Sequence, residues 1–213
     1  MPRLIAHDAD WQGPAITEAH AFRRIRDAPL GGAPGVYVAF PWATLIDRID
    51  NRAPGAEALL AALAALPKPG EGPVVTVCQH VGLARHAHLL EQAGVTDVFW
   101  SHAPRDGRLA GGGLRAHPFP LYPVQQPAPP PEDAPRRWLY AFVGARAEPW
   151  YLTRVRDWIL ERLSDDPRSH VRGRDGWHYD RIVYERQIAG RAPEAGLVDE
   201  AASAEFAETL RQS

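Results

Sequence analysis

The sequence predicts an α/β protein: a Rossmann-like parallel-sheet domain, followed by a partial second α/β unit. Short apolar β-rich runs alternate with helical segments between residues 36 and 100. A proline-rich stretch then interrupts the chain at 125–135. A fresh strand-helix unit starts straight after it: LYAFVGA, then a helix carrying arginines.

VYVAF (36–40) is a short run of the kind buried in a sheet, with Pro41 and Trp42 at its carboxyl end. In ALLAALAAL (58–66), Leu59, Leu63 and Leu66 fall on one helical face. PVVTVCQH (73–80) reads as the next strand. Residues 82–93 read as a helix with Leu83, Ala87 and Leu90 inward and Gly94 terminating it. The strand TDVFW (96–100) leads to Ser101 and His102. This alternation implies parallel pairing through right-handed crossovers. A polar, glycine-rich loop (104–113) leads to HPFPLYP (117–123), whose prolines suit a sheet edge or a domain crossing.

The spacer holds Pro127, Pro129, Pro130, Pro131 and Pro135, a composition that favours extended, semi-rigid geometry. It divides the chain into an amino-terminal domain (1–124), a linker (125–135) and a second unit (136–213). In that unit Leu152, Val155, Ile159 and Leu163 line one helical face. Trp177–Tyr184 fits a strand or a short helix, and 204–210 reads as helical. No strand follows that helix before Ser213, so the second unit is expected to be incomplete.

Of 213 residues, 45% are hydrophobic and 23% charged, which excludes global disorder. A net charge of -2 gives no electrostatic case for nucleic acid. Lys68 is the only lysine against 23 arginines, a bias that a GC-rich genome explains. Cys78 is the only cysteine, so neither an internal disulfide nor a thiolate-rich zinc site is expected. The first residues lack the apolar core of a signal peptide, and no run approaches the roughly 18–20 apolar residues of a membrane span. A cytoplasmic protein is expected, with peripheral membrane contact left open.

His80 and His102 follow strands one crossover apart, at the sheet edge where open α/β folds bind ligands. Histidine titrates near neutrality, so either fits a general base or a hydroxyl ligand; capping the next helix is the other reading. Asp8 and Asp47 are further base candidates. His86 and His88 lie two apart and do not share a helical face, which argues against a zinc pair. Gly144 ends a strand before Arg146 and a helix carrying Arg154 and Arg156, a place where backbone N–H groups and arginines suit a diphosphate. Neither GxGxxG, nor GxxxxGK[ST], nor GxSxG occurs. Trp42, Trp100, Phe119, Tyr122, Trp138 and Trp150 gather at strand ends and loops, where rings stack on sugars or pack cores.

These pieces resemble the exostosin-like family of inverting glycosyltransferases. The resemblance rests on YVAFPWATLID (37–47), CQH (78–80), DVFWSHA (97–103), HPFPLYP (117–123), LYAFVGA with Arg156, and WHYDRIVYERQ (177–187), all in shared order. It implies a two-domain GT-B enzyme that moves a sugar from a nucleotide-sugar co-substrate to a saccharide acceptor, needing no other cofactor and no metal. It implies His80 or His102 as catalytic base, Gly144, Arg146 and Arg156 at the donor diphosphate, and Trp42, His117 and Tyr122 at the acceptor. The family's later strand, glycine-rich loop and acidic helix have no counterpart here. The alternative is therefore a non-catalytic saccharide-binding or assembly module, its donor half completed by a partner chain.

Overall fold

The computed structural model describes residues 3–28, 35–109, 112–133, 135–149, 153–191 and 196–213. The chain forms two units: Met1–Pro123 with Glu185–Arg191, and Val124–Tyr184 with Ala192–Ser213. The return of residues 185–191 to the first unit has no counterpart in the sequence reading.

The first unit is built on a five-stranded parallel sheet in the order β1 (Arg3–Ala6), β2 (Val36–Ala39), β3 (Val74–Cys78), β4 (Asp97–Trp100) and β5 (Arg115–Pro118). Successive strand residues face opposite sides. Val36, Val38 and Phe40 point into the larger core, with α2 (Trp42–Asp50), α3 (Ala56–Ala64) and α4 (Ala87–Gln92) packed over that face. Tyr37, Ala39 and Val77 point to the other face, where α1 (Thr17–Asp27) lies through Ala21 and Phe22. The segment read as one helix at 82–93 is 3-10 over Val81–His86 and α-helical only beyond it.

Strand order follows chain order, so β1 to β2 and β2 to β3 step the same way across the sheet. Their connecting helices cover opposite faces, and the β1–α1–β2 crossover therefore has the opposite hand to the next two. Before α1 the loop leaving β1 lies against α2, where Thr44 Oγ1 bonds Asp10 O at 2.7 Å and Gln12 Nε2 bonds Asp47 Oδ2 at 2.8 Å.

The second unit pairs β6 (Tyr140–Ala145) with β7 (Ser169–Arg174) in parallel. Helix α5 (Val155–Arg162) buries no side chain, and Val155 and Leu163, expected to face inward, are exposed. Trp177–Tyr184 leads into a short helix, α6 (Asp180–Val183). Helix α7 (Glu200–Arg211) is N-capped by Asp199, whose carboxylate accepts from Ala202 N at 2.9 Å. Trp150 and Leu152 lie outside the described residues.

Candidate functional site

A hydrogen-bonded polar network runs along the carboxyl edge of the first sheet, beginning on α1. Glu18 shares its inward face with Ala21, Phe22 and Ile25, at i+3, i+4 and i+7. Its carboxyl group is buried and accepts from Gln79 N at 3.0 Å and Ala43 N at 3.1 Å. Burial pushes its pKa up to about 8; the backbone donors of Gln79 and Ala43 pull it down, but by less. Gln79 returns the contact, accepting from Glu18 N through its side-chain oxygen. Its amide nitrogen donates to Ala15 O and Gln12 Oε1, and Gln12 Nε2 donates to Asp47 Oδ2 at 2.8 Å.

Asp47 Oδ1 lies 2.9 Å from His80 Nε2, and both side chains are largely buried. Gly82 N donates to His80 Nδ1 at 3.0 Å. A backbone N–H is always a donor, so Nδ1 must carry the lone pair and Nε2 the proton. His80 therefore caps the 3-10 turn on one side and donates to Asp47 on the other. Neither nitrogen is left to accept a proton from a ligand, so the base assigned to His80 by its strand-end position is a positioning group here.

His102 also stands at a carboxyl end, after β4, with Nδ1 2.8 Å from Ser101 Oγ and its ring 5.7 Å from Trp100. Trp100 Nε1 donates to His80 O at 2.9 Å, which links the two histidine positions. Asp8 accepts from Trp11 Nε1 at 2.8 Å.

The three acceptor candidates do not meet at one place. Trp42 is completely buried and donates through Nε1 to Thr76 Oγ1 at 2.8 Å, so it presents no face to a sugar. Its position after a strand suggested a lip residue; it is instead the first residue of α2 and folds inward. His117 Nε2 lies 2.7 Å from Asp97 Oδ1 and its ring stacks on Phe99 at 5.0 Å. Burial of Asp97 works to raise its pKa, but bonds from Arg115, His117 and Thr96 outweigh it and hold the value at about 2. Tyr122 stacks on His20 at 3.9 Å, and its backbone N–H donates to Thr17 Oγ1. A 340 Å³ apolar cavity lies on this same sheet face, lined by His20, Tyr37, Phe99 and Phe119 among others.

The donor candidates come together in the second unit. Gly144 lies within β6, opposite Gly173 of β7, rather than in a loop beyond the strand. A Cβ at Gly144 would stand 3.5 Å from Arg156 Nη1, and one at Gly173 would stand 3.3 Å from Arg146 Cζ. Arg156 thus lies in ordinary contact range of Gly144, whereas a side chain at Gly173 would crowd both Leu160 and Arg146. Arg156 Nη1 donates to Ala145 O at 3.0 Å, whereas Arg146 is exposed and makes no ion pair among the described residues.

Sequence reasoning missed three participants. Gln187, buried, sits 2.6 Å from Thr44 Oγ1 and receives Arg48 Nε on its backbone carbonyl at 3.3 Å. The others are Glu18, whose i+3, i+4, i+7 relation to apolar residues was the available signal, and His7, which follows the unread strand β1.

Comparison of the chain with protein-family models, with curated proteins and with solved structures gave no match. Among the described residues no helix is long and apolar enough to cross a membrane.

Proposed function

We propose that this chain is a nucleotide-sugar-dependent glycosyltransferase of exostosin-like, GT-B type, acting on a saccharide acceptor. Its first unit holds the acceptor and its second meets the donor diphosphate. The observation that carries the reading is the pair of parallel α/β units in one chain. The first bears histidines and carboxylates at its carboxyl edge, and the second gathers Gly144, Arg146 and Arg156 at the end of β6. A base at the first edge deprotonates the sugar hydroxyl, and arginines at the second stabilise the departing diphosphate. Asp47 and His80 hold the edge in shape.

Calorimetric titration with UDP, GDP and their sugar conjugates tests this reading. Saturable binding that Arg146→Ala weakens at least tenfold is the expected result. That residue is chosen because its exposed guanidinium is free of carboxylates, so its loss leaves the fold unchanged. No binding by the folded chain overturns the donor assignment. The second reading, an assembly module, would then stand on the exposed Val155, Trp158 and Leu163 of α5.

A further inference from the structure

The carboxyl end of β1 carries a second histidine–aspartate pair. His7 follows β1 directly, its backbone N–H bonded to Ala39 O at 3.0 Å and its ring 5.4 Å from Phe40. Its Nε2 is buried without a hydrogen-bond partner and lies 3.6 Å from Asp10 Oδ2. A buried, unsatisfied ring nitrogen is rare and calls for a reason. Nδ1, which no described residue bonds, is on the open part of a ring that is 26% exposed.

Asp10 is held in place against its own backbone preference. Its φ is 57°, a left-handed conformation uncommon outside glycine, though aspartate tolerates it better than most residues. The Thr44 hydroxyl lies 2.7 Å from Asp10 O, and Arg48 Nη2 lies 3.4 Å from Asp10 Oδ1. Thr44 and Arg48 are in turn fixed by Gln187. One hydroxyl proton cannot serve both Asp10 O and Gln187 Oε1; a Gln187 amide turned to donate to Thr44 satisfies all three groups. The outcome is one carboxylate oxygen occupied by Arg48 and the other aimed at His7. Strained backbone kept by such over-determination concentrates at functional sites.

We propose that His7 is the general base of the transfer, oriented by Asp10. This rests on the glycosyltransferase reading above. Asp10 favours the tautomer with the proton on Nε2, which leaves the lone pair on Nδ1, on the exposed part of the ring. The acceptor O–H bond breaks and its proton passes to Nδ1. The freed oxygen pair attacks the anomeric carbon, and the C–O bond to the nucleoside diphosphate breaks with its electrons going to the diphosphate oxygen. Asp10 stabilises the resulting imidazolium, and the 3.6 Å contact tightens as charge develops. His80 cannot take this part because both of its nitrogens are engaged.

The test joins nitrogen-resolved NMR of the imidazoles with turnover of a panel of UDP- and GDP-sugars in the presence of mono- and oligosaccharides. Neutral His7 is expected as the Nε2–H tautomer, a preference that Asp10→Asn is expected to weaken. His7→Gln is expected to lose about 10²–10⁴-fold in turnover with donor binding unchanged, and Asp10→Asn to lose less while shifting the acid limb of the pH profile. A proton on Nδ1 of neutral His7 in the wild type overturns the proposal. So does His7→Gln retaining turnover while wild type is active, in which case the base assignment fails alone. A wild-type chain inactive on the whole panel overturns it together with the reading on which it rests.

Discussion

The two units use the same strand-helix grammar with opposite economies of burial. In the first, helices cover both faces of a five-stranded sheet, and Trp42, Trp100, Phe40 and Leu45 are almost wholly enclosed. In the second, two strands pair while α5 buries nothing and Trp158 remains 49% exposed. The buried apolar residues of this unit are few, Val143 and Ala145 of β6 among the described ones, and charge supplements them: Arg172 and Arg174 both bond Glu205 on α7. Burial raises the Glu205 pKa and the two arginines more than offset it, leaving the carboxyl below its usual range. Burial is non-directional and scales with area, whereas partly exposed ion pairs contribute little and are screened by salt. The first unit is therefore the stable part, and the second depends on geometry and ionic strength.

The largest expected effect breaks the first unit and spares the second. Trp42→Ala removes a fully buried indole and its bond to Thr76, at a cost of about 3–5 kcal/mol. Hydrogen exchange should show lost protection in β2, β3 and β4 with β6 and β7 unchanged; equal loss in both sheets would mean the units unfold as one.

A comparable but pH-dependent effect comes from Glu18. Its carboxyl ionises at 4.5 when unfolded and at about 8 in the fold. Between these values the unfolded state releases a proton that the folded state keeps. Its contribution is thus fully present below 4.5, declines as pH rises, and is gone above about 8. The slope is about 1.4 kcal/mol per pH unit at most. In Glu18→Gln that decline should vanish from the first unit, read as denaturant midpoints across the same pH range. A mutant that keeps the wild-type slope would show that Glu18 is ionised in the fold.

The smallest effect lies in the second unit. Asp199→Ala removes the N-cap of α7 and should cost about 1 kcal/mol, seen as faster exchange in α7 and β6 only.

The same contrast governs what could be read from sequence. β2, β3, β4 and β6 were legible because they are unbroken apolar runs. β7, SHVRGR, was not, because a strand in a two-stranded sheet has little apolar surface to announce it. Helix α1 was missed since its arginines and histidine mask a narrow inward face, and with it went Glu18. At the site, strand-end position correctly placed His80 on the carboxyl edge, but only the Gly82 and Asp47 contacts reveal its tautomer. Trp42 shows the reverse error: an aromatic after a strand looks like a lip residue until the first turn of α2 carries it inward. Gln187 was unreadable because its partner Thr44 lies 143 positions away in the chain.

That long-range bond has a consequence for the chain as a covalent object. The polypeptide leaves the first unit after Pro123, returns at Glu185 and leaves again after Arg191. Residues 124–184 are thus a loop pinned at both ends, and closing even a long loop costs only logarithmically in its length. A cut in the proline-rich segment would sever one strand of a three-stranded tether rather than separate two beads on a string. A fragment ending at Pro123 would lack the Gln187 that anchors Thr44 and Arg48, and with it the brace behind Asp10.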